Sequence, residues 1–96
     1  MKITIQEEQN APAAPPTPAR AAVVAALQKA VKEVYRKDAT ASGIGGGTVA
    51  ALFRRQGFEA ACWSKVDETA HQPNEYCIID NMIGDAKVYA HVFLQD

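Results

Sequence analysis

Two short stretches of this 96-residue chain combine residue types and spacings that could do chemistry. The first runs Trp63-Ser64-Lys65-Val66-Asp67-Glu68-Thr69-Ala70-His71-Gln72-Pro73-Asn74-Glu75-Tyr76. It places one imidazole in a polar loop, after an apolar run and before a helix that Pro73 is expected to open. Such a histidine can turn either ring nitrogen to a metal while backbone groups fix the other. No second ligand stands at zinc-finger spacing, so His71 reads as one piece of a larger site. Taken alone, however, a loop histidine beside Asp67 and Glu68 also fits a simple exposed residue.

The second stretch is Gly43-Ile44-Gly45-Gly46-Gly47-Thr48. Consecutive glycine amides that open onto a helix start favour an anion such as a carboxylate or phosphate. No Gly-Lys-Ser/Thr follows, so this is not the phosphate loop of nucleotide hydrolases. Val49 and Ala50 stand where the last glycine of a dinucleotide fingerprint would fall. A purely structural tight turn is the other reading. His91, inside an expected helix beside its apolar side, reads as a surface or packing residue.

The elements that must position these stretches follow from periodicity. Lys2 to Glu8 begins with the alternation of a half-buried strand. The stretch from Asn10 to Pro18 is proline-rich and reads as a stiff linker. Thr17-Pro18 fits an N-cap followed by a first-turn proline. Val23, Leu27, Ala30, Val31 and Val34 then predict a helix over 18–37, with Lys29, Lys32, Glu33 and Arg36 on its solvated side. Residues 39–44 read as a short strand, 48–56 as a helix closed by Gly57, and Phe58 to Trp63 as a second strand. A last helix is predicted over 73–94, with Ile79, Met82, Ile83, Ala86, Tyr89, Ala90 and Phe93 on its apolar side.

Strand, glycine turn, helix and strand make a right-handed parallel crossover. Two parallel strands need cover on both faces and partners at both edges, so the expected fold is a slice of a larger α/β domain. Both chemical stretches then fall at carboxyl ends of strands, where ligands bind in open α/β sheets. They could face one cleft.

Composition narrows the function classes. The apolar fraction is 48%, much of it alanine, and the formal charge is -1, which gives no electrostatic case for nucleic acid or an anionic membrane. No apolar run nears the roughly 18 residues that span a bilayer. The first residues lack a signal peptide's apolar segment, so the expected location is cytoplasmic. Cys62, in an expected buried strand, and Cys77, in an expected helix, form no Cys-x-x-Cys pair and read as reduced packing residues.

With these residues in place, Gly45-Gly46-Gly47-Thr48 followed by Ala70-His71-Gln72-Pro73-Asn74-Glu75-Tyr76 resembles the C-terminal end of the co-catalytic zinc hydrolases. That family includes succinyl-diaminopimelate desuccinylase, acetylornithine deacetylase, aminoacylase and related carboxypeptidases. The resemblance covers nearly the whole chain; its histidine motif is fairly specific, the glycine turn less so. It implies a partial catalytic domain over 18–96, a proline linker over 10–17, and a returning strand over 1–9 from an inserted lid domain. In the family that lid often mediates homodimerisation.

The resemblance implies that His71 is the last metal ligand of a two-zinc site, with cobalt as an alternative metal. It implies that Gly46, Gly47 and Thr48 hold the substrate carboxylate. Many members continue with Ser-Asp after the glycine turn, where this chain has Val49 and Ala50. Asn74 and Glu75 are read either as groups that orient the His71 loop by hydrogen bonds or as helix-start residues. The implied whole enzyme cleaves amides in N-acyl amino acids or small peptides. This polypeptide, lacking the other ligands and the general base, is expected to be inactive alone. The competing expectation is a small non-catalytic α/β module that binds an anionic ligand or a partner protein through an exposed sheet edge.

Overall fold

The computed structural model describes residues 1–6 and 11–95, and three helices organise them. Helix α1 spans Ala22–Tyr35, α2 spans Ala50–Arg55 and α3 spans Ile79–Phe93. Helices α1 and α3 pack on each other, and Leu27, Ala30 and Val31 meet Val88 in the core between them. The Cα radius of gyration is 16.8 Å. A compact domain of about 100 residues has one of about 13 Å, so this chain spreads well beyond its core.

Helix α1 buries most of the stripe its periodicity predicts, with one exchange: Val24 is buried where Val23 was expected, and Val23 is half-buried. Val24, Leu27, Ala30 and Val31 are buried and Val34 is half-buried, while Lys29, Lys32, Glu33 and Arg36 face solvent. Its start differs from expectation. Thr17 does not cap it; the N-cap is Ala21, whose amide donates to the Pro18 carbonyl at 2.9 Å. The Thr17 hydroxyl is engaged elsewhere: it donates to the Ala60 carbonyl at 2.6 Å and accepts the Ala60 amide at 3.0 Å. The hydroxyl is thus aimed at Ala60 and away from the amides of the helix start. The proline stretch is therefore tied at two points, because Arg55 Nη1 also donates to the Pro12 carbonyl at 2.8 Å.

Gly57 closes α2 as predicted. Its amide donates to the Arg54 carbonyl at 3.0 Å, and its φ of +88° turns the chain back so that the Phe58 amide reaches the Phe53 carbonyl at 3.0 Å. This paired arrangement satisfies carbonyls that the helix end would leave open.

Helix α3 corrects two expectations. It begins at Ile79, not at Pro73, because a turn takes up the residues between. Its buried side is Asn81, Gly84 and Val88, not the apolar stripe. At 3.6 residues per turn those positions lie opposite Ile79, Met82, Ile83 and Phe93, which are 71%, 57%, 50% and 83% exposed. The small Gly84 decides this. It lets α3 approach α1 closely enough for the Tyr35 ring to lie against its backbone.

Among the described residues no β-ladder is present. The segment 58–63 keeps a two-residue alternation nonetheless: Ala61 and Trp63 pack on the core, and Cys62 between them is exposed rather than buried. Cys77 lies outside α3, is exposed, and sits 3.4 Å from the Met82 sulfur. Ile3 and Ile5 of the opening segment are exposed. The expected strand over 2–8 and the linker from Asn10 fall in part outside the described residues.

Candidate functional site

His71 sits at the tip of a loop running from Ser64 to Ile78 into the start of α3. Trp63 anchors its base. The indole lies 5.8 Å from the Tyr35 ring and 6.5 Å from the Tyr89 ring, the latter edge-on. The Tyr89 hydroxyl donates to the Trp63 carbonyl at 2.6 Å. Aromatic pairs at such separations and tilts attract beyond their burial alone.

Two β-turns in succession build the tip. The Gln72 amide donates to the Thr69 carbonyl at 3.3 Å, and the Glu75 amide donates to the Gln72 carbonyl at 3.1 Å. His71 and Asn74 hold the third position of each, both with φ of +60°. A positive φ there marks a type II turn. Pro73 pre-sets the second position of the latter turn and Asn74 tolerates the left-handed region, which is why Gln-Pro-Asn-Glu codes a turn where a helix start was expected.

Side chains then close the loop. The Thr69 hydroxyl donates to the Tyr76 carbonyl at 2.8 Å, and Gln72 Nε2 donates to the Glu68 carbonyl at 3.0 Å. Sequence reading did not single out Thr69 and Gln72, and left Asn74 and Glu75 either as groups that orient the loop by hydrogen bonds or as helix-start residues. Asn74 contributes a left-handed backbone and Glu75 a backbone amide.

The result is an exposed imidazole on a defined turn. Among the described residues no three His, Cys, Asp or Glu side chains come together to hold an ion. Catalytic zinc takes three protein ligands. An exposed imidazole of this kind can serve a metal as one donor, and a complete centre needs further donors beside it.

The glycine turn lies in the connection before α2. Gly46 has φ of +113°, a conformation L side chains rarely adopt, and no atom comes within 4 Å of where a Cβ would stand on Gly45, Gly46 or Gly47. Their backbone is open to an incoming group. Thr48 is half-buried, and its carbonyl accepts the Ala51 amide at 3.1 Å in the first turn of α2. Among the described residues no hydrogen bond joins this turn to the His71 loop. A groove of about 600 Å³ opens instead between α1 and α3, lined by Glu33, Tyr35, Asp80, Lys87 and His91 among others, and neither His71 nor Gly46 to Thr48 lines it.

Comparison with known proteins sets this geometry in context. The sequence profile of peptidase family M20/M25/M40 matches residues 2–95. This chain belongs to that family. An uncharacterized metallohydrolase of Methanococcus maripaludis is 49% identical over 70 residues, covering 73% of this chain and 17% of the relative. An uncharacterized metallohydrolase of Methanocaldococcus jannaschii is 42% identical over 76 residues, covering 79% and 18% respectively. This M20/M25/M40 chain therefore spans less than a fifth of the length of the curated relatives it matches. No solved structure matches it. No helix among the described residues is long and apolar enough to cross a membrane.

Proposed function

We propose that this M20/M25/M40 chain is the C-terminal portion of the catalytic domain of a two-domain, zinc-dependent amidohydrolase or peptidase. Its substrates are N-acyl amino acids or small peptides with a free carboxylate. The observation that carries this reading is His71, exposed on a left-handed turn inside the stretch that matches the family. The naming of both relatives as metallohydrolases supports it.

His71 offers a neutral imidazole nitrogen to the metal site, and Thr69 and Gln72 hold the backbone that aims it. The amides of Gly46 and Gly47, with the Thr48 hydroxyl, receive the substrate carboxylate. A bound two-zinc centre would supply an acidified water and polarise the amide carbonyl. One imidazole does not assemble that centre, so this polypeptide is inactive without the residues that complete it.

The same reading includes the architecture. Residues 39–44 and 58–63 become parallel strands of an α/β sheet whose other strands lie elsewhere in the protein, and residues 1–9 return from a lid domain through which whole enzymes dimerise. The uncovered apolar side of α3 supports this, because that face needs something to pack against. The location proposed for the whole enzyme is the cytoplasm. The same apolar face also favours a second reading, a non-catalytic module that docks on a partner protein.

The deciding experiment is metal content and amidase turnover of the complete enzyme with His71→Ala, beside His91→Ala as control. Loss of one metal and most turnover in the first variant alone is expected. Full occupancy and normal rate in His71→Ala would leave the module reading.

A further inference from the structure

The side of α3 that faces α1 carries polar groups a simple core helix would not need. Asn81 is buried, and Asp85 is half-buried four residues on, so both stand on one side of the helix. Asp85 gathers several donors. Ser64 Oγ donates to its Oδ2 at 2.7 Å, and the Lys65 amide reaches its two oxygens at 3.1 and 3.3 Å. The Tyr35 hydroxyl lies 3.3 Å from Asp85 Oδ1 and 3.4 Å from the Asn81 carbonyl, and its single proton serves either. One turn nearer the helix start, Asn81 Nδ2 lies 3.4 Å from Asp67 Oδ2. The Lys65 ammonium stands 5.0 Å from the centre of the Tyr35 ring, within cation–π reach.

Ser64, Lys65 and Asp67 form the incoming leg of the loop that carries His71. The returning leg needs no separate pin, because Ile78 is the N-cap of α3 and the Thr69 hydroxyl clamps Tyr76. Both legs of the loop are thus referred to the first two turns of one helix.

We propose that Asp85, with Asn81 beside it, is a positioning residue for His71: it locks the incoming leg onto α3 so that the left-handed turn presents the imidazole in one orientation. The proposal rests on the reading of His71 as one donor to a metal site. A lone donor whose partners lie elsewhere must be held near its working geometry before they meet, because misplacement by about 1 Å is costly. A carboxylate suits this task, since hydrogen bonds to a charged acceptor are roughly twice as strong as neutral ones.

The test is backbone NMR of the 96-residue chain with Asp85→Asn, Ser64→Ala and Gln95→Ala. Gln95 is the structural control; it follows the C-cap of α3, and its Nε2 donates to the Ala26 carbonyl of α1 at 2.9 Å. In Asp85→Asn the Lys65 amide should exchange about tenfold faster. His71 should lose the Cα shift and order parameter of a fixed left-handed residue. Ser64→Ala should move the same signals less, and it decides the matter if Asp85→Asn does not fold. Gln95→Ala should lower stability and leave His71 unchanged. An unmoved His71 in both loop variants overturns the proposal, as does an equal response in Gln95→Ala. The two readings fail separately: full metal in the whole His71→Ala enzyme sinks the ligand assignment, whereas an unmoved His71 in both loop variants sinks this one.

Discussion

The Tyr35 ring of α1 lies directly on Gly84 of α3, where a Cβ would stand 2.7 Å from the ring's Cζ and closer still to the hydroxyl. The ring cannot swing away freely, because its hydroxyl is held between Asp85 and the Asn81 carbonyl and the Trp63 indole lies tilted against it, 5.8 Å away. This contact sets how closely the two long helices approach.

Gly84→Ala should therefore destabilise the chain by about 1–2 kcal/mol, the cost of overpacking a tight contact less the gain in helix propensity. In a Tyr35→Ala background the clash is gone, and the same substitution should stabilise by up to about 1 kcal/mol. Urea denaturation of the four-membered set checks this reversal of sign. Equal effects in both backgrounds would remove Tyr35 as the reason for the glycine.

Burial of the Tyr35 phenol, with the Asp85 carboxylate beside it, raises its pKa above the ordinary 10.0. The folded state thus favours the protonated phenol. This contribution to stability is fully present below pH 10.0 and is lost as pH rises through the higher folded value. Wild type should lose more stability than Tyr35→Phe across that window, seen as converging denaturation midpoints in alkaline buffer. Parallel curves would show that the phenol does not titrate against the fold.

Gly47 and Gly46 should respond differently to a side chain. Neither meets an atom within 4 Å, but only Gly46 has a positive φ. Gly47→Val should leave the unfolding midpoint unchanged, and in a complete enzyme it should raise KM with metal content intact. Gly46→Val should disturb the turn itself, at a strain of order 1–3 kcal/mol. Unaltered kinetics in Gly47→Val would take the turn out of the substrate site.

Asn74 is the cheapest test of the double turn. With φ of +60° it should accept Gly without loss, whereas Ala should cost about 1 kcal/mol locally. The readout is exchange of the Glu75 amide, which the turn protects through the Gln72 carbonyl. Equal exchange in Asn74→Gly and Asn74→Ala would mean that the left-handed conformation is not what closes the turn.

Much of this molecule was legible from residue order. The stripe of Leu27, Ala30 and Val31 located α1 and its buried side, because helical period and apolarity agree there. Gly57 marked the end of α2, since its left-handed amide suits a helix end better than any other residue. His71 and the glycine turn stood out as sites for chemistry because few other stretches combine such residues with an exposed loop.

Other features arise from contacts between residues far apart in sequence. Thr17 beside Pro18 had the local look of a helix cap, but Ala60 took its hydroxyl from 43 residues away. The most apolar side of α3 pointed to a core that the described chain does not form. Close approach at Gly84 and the hydrogen bonds of Asn81 and Asp85 turned the opposite side inward. Periodicity reports which face of a helix avoids water, whereas the partner it packs on depends on shape and on where distant donors and acceptors meet. That is why the residues aiming the His71 loop became visible only once α1, α3 and the loop stood together.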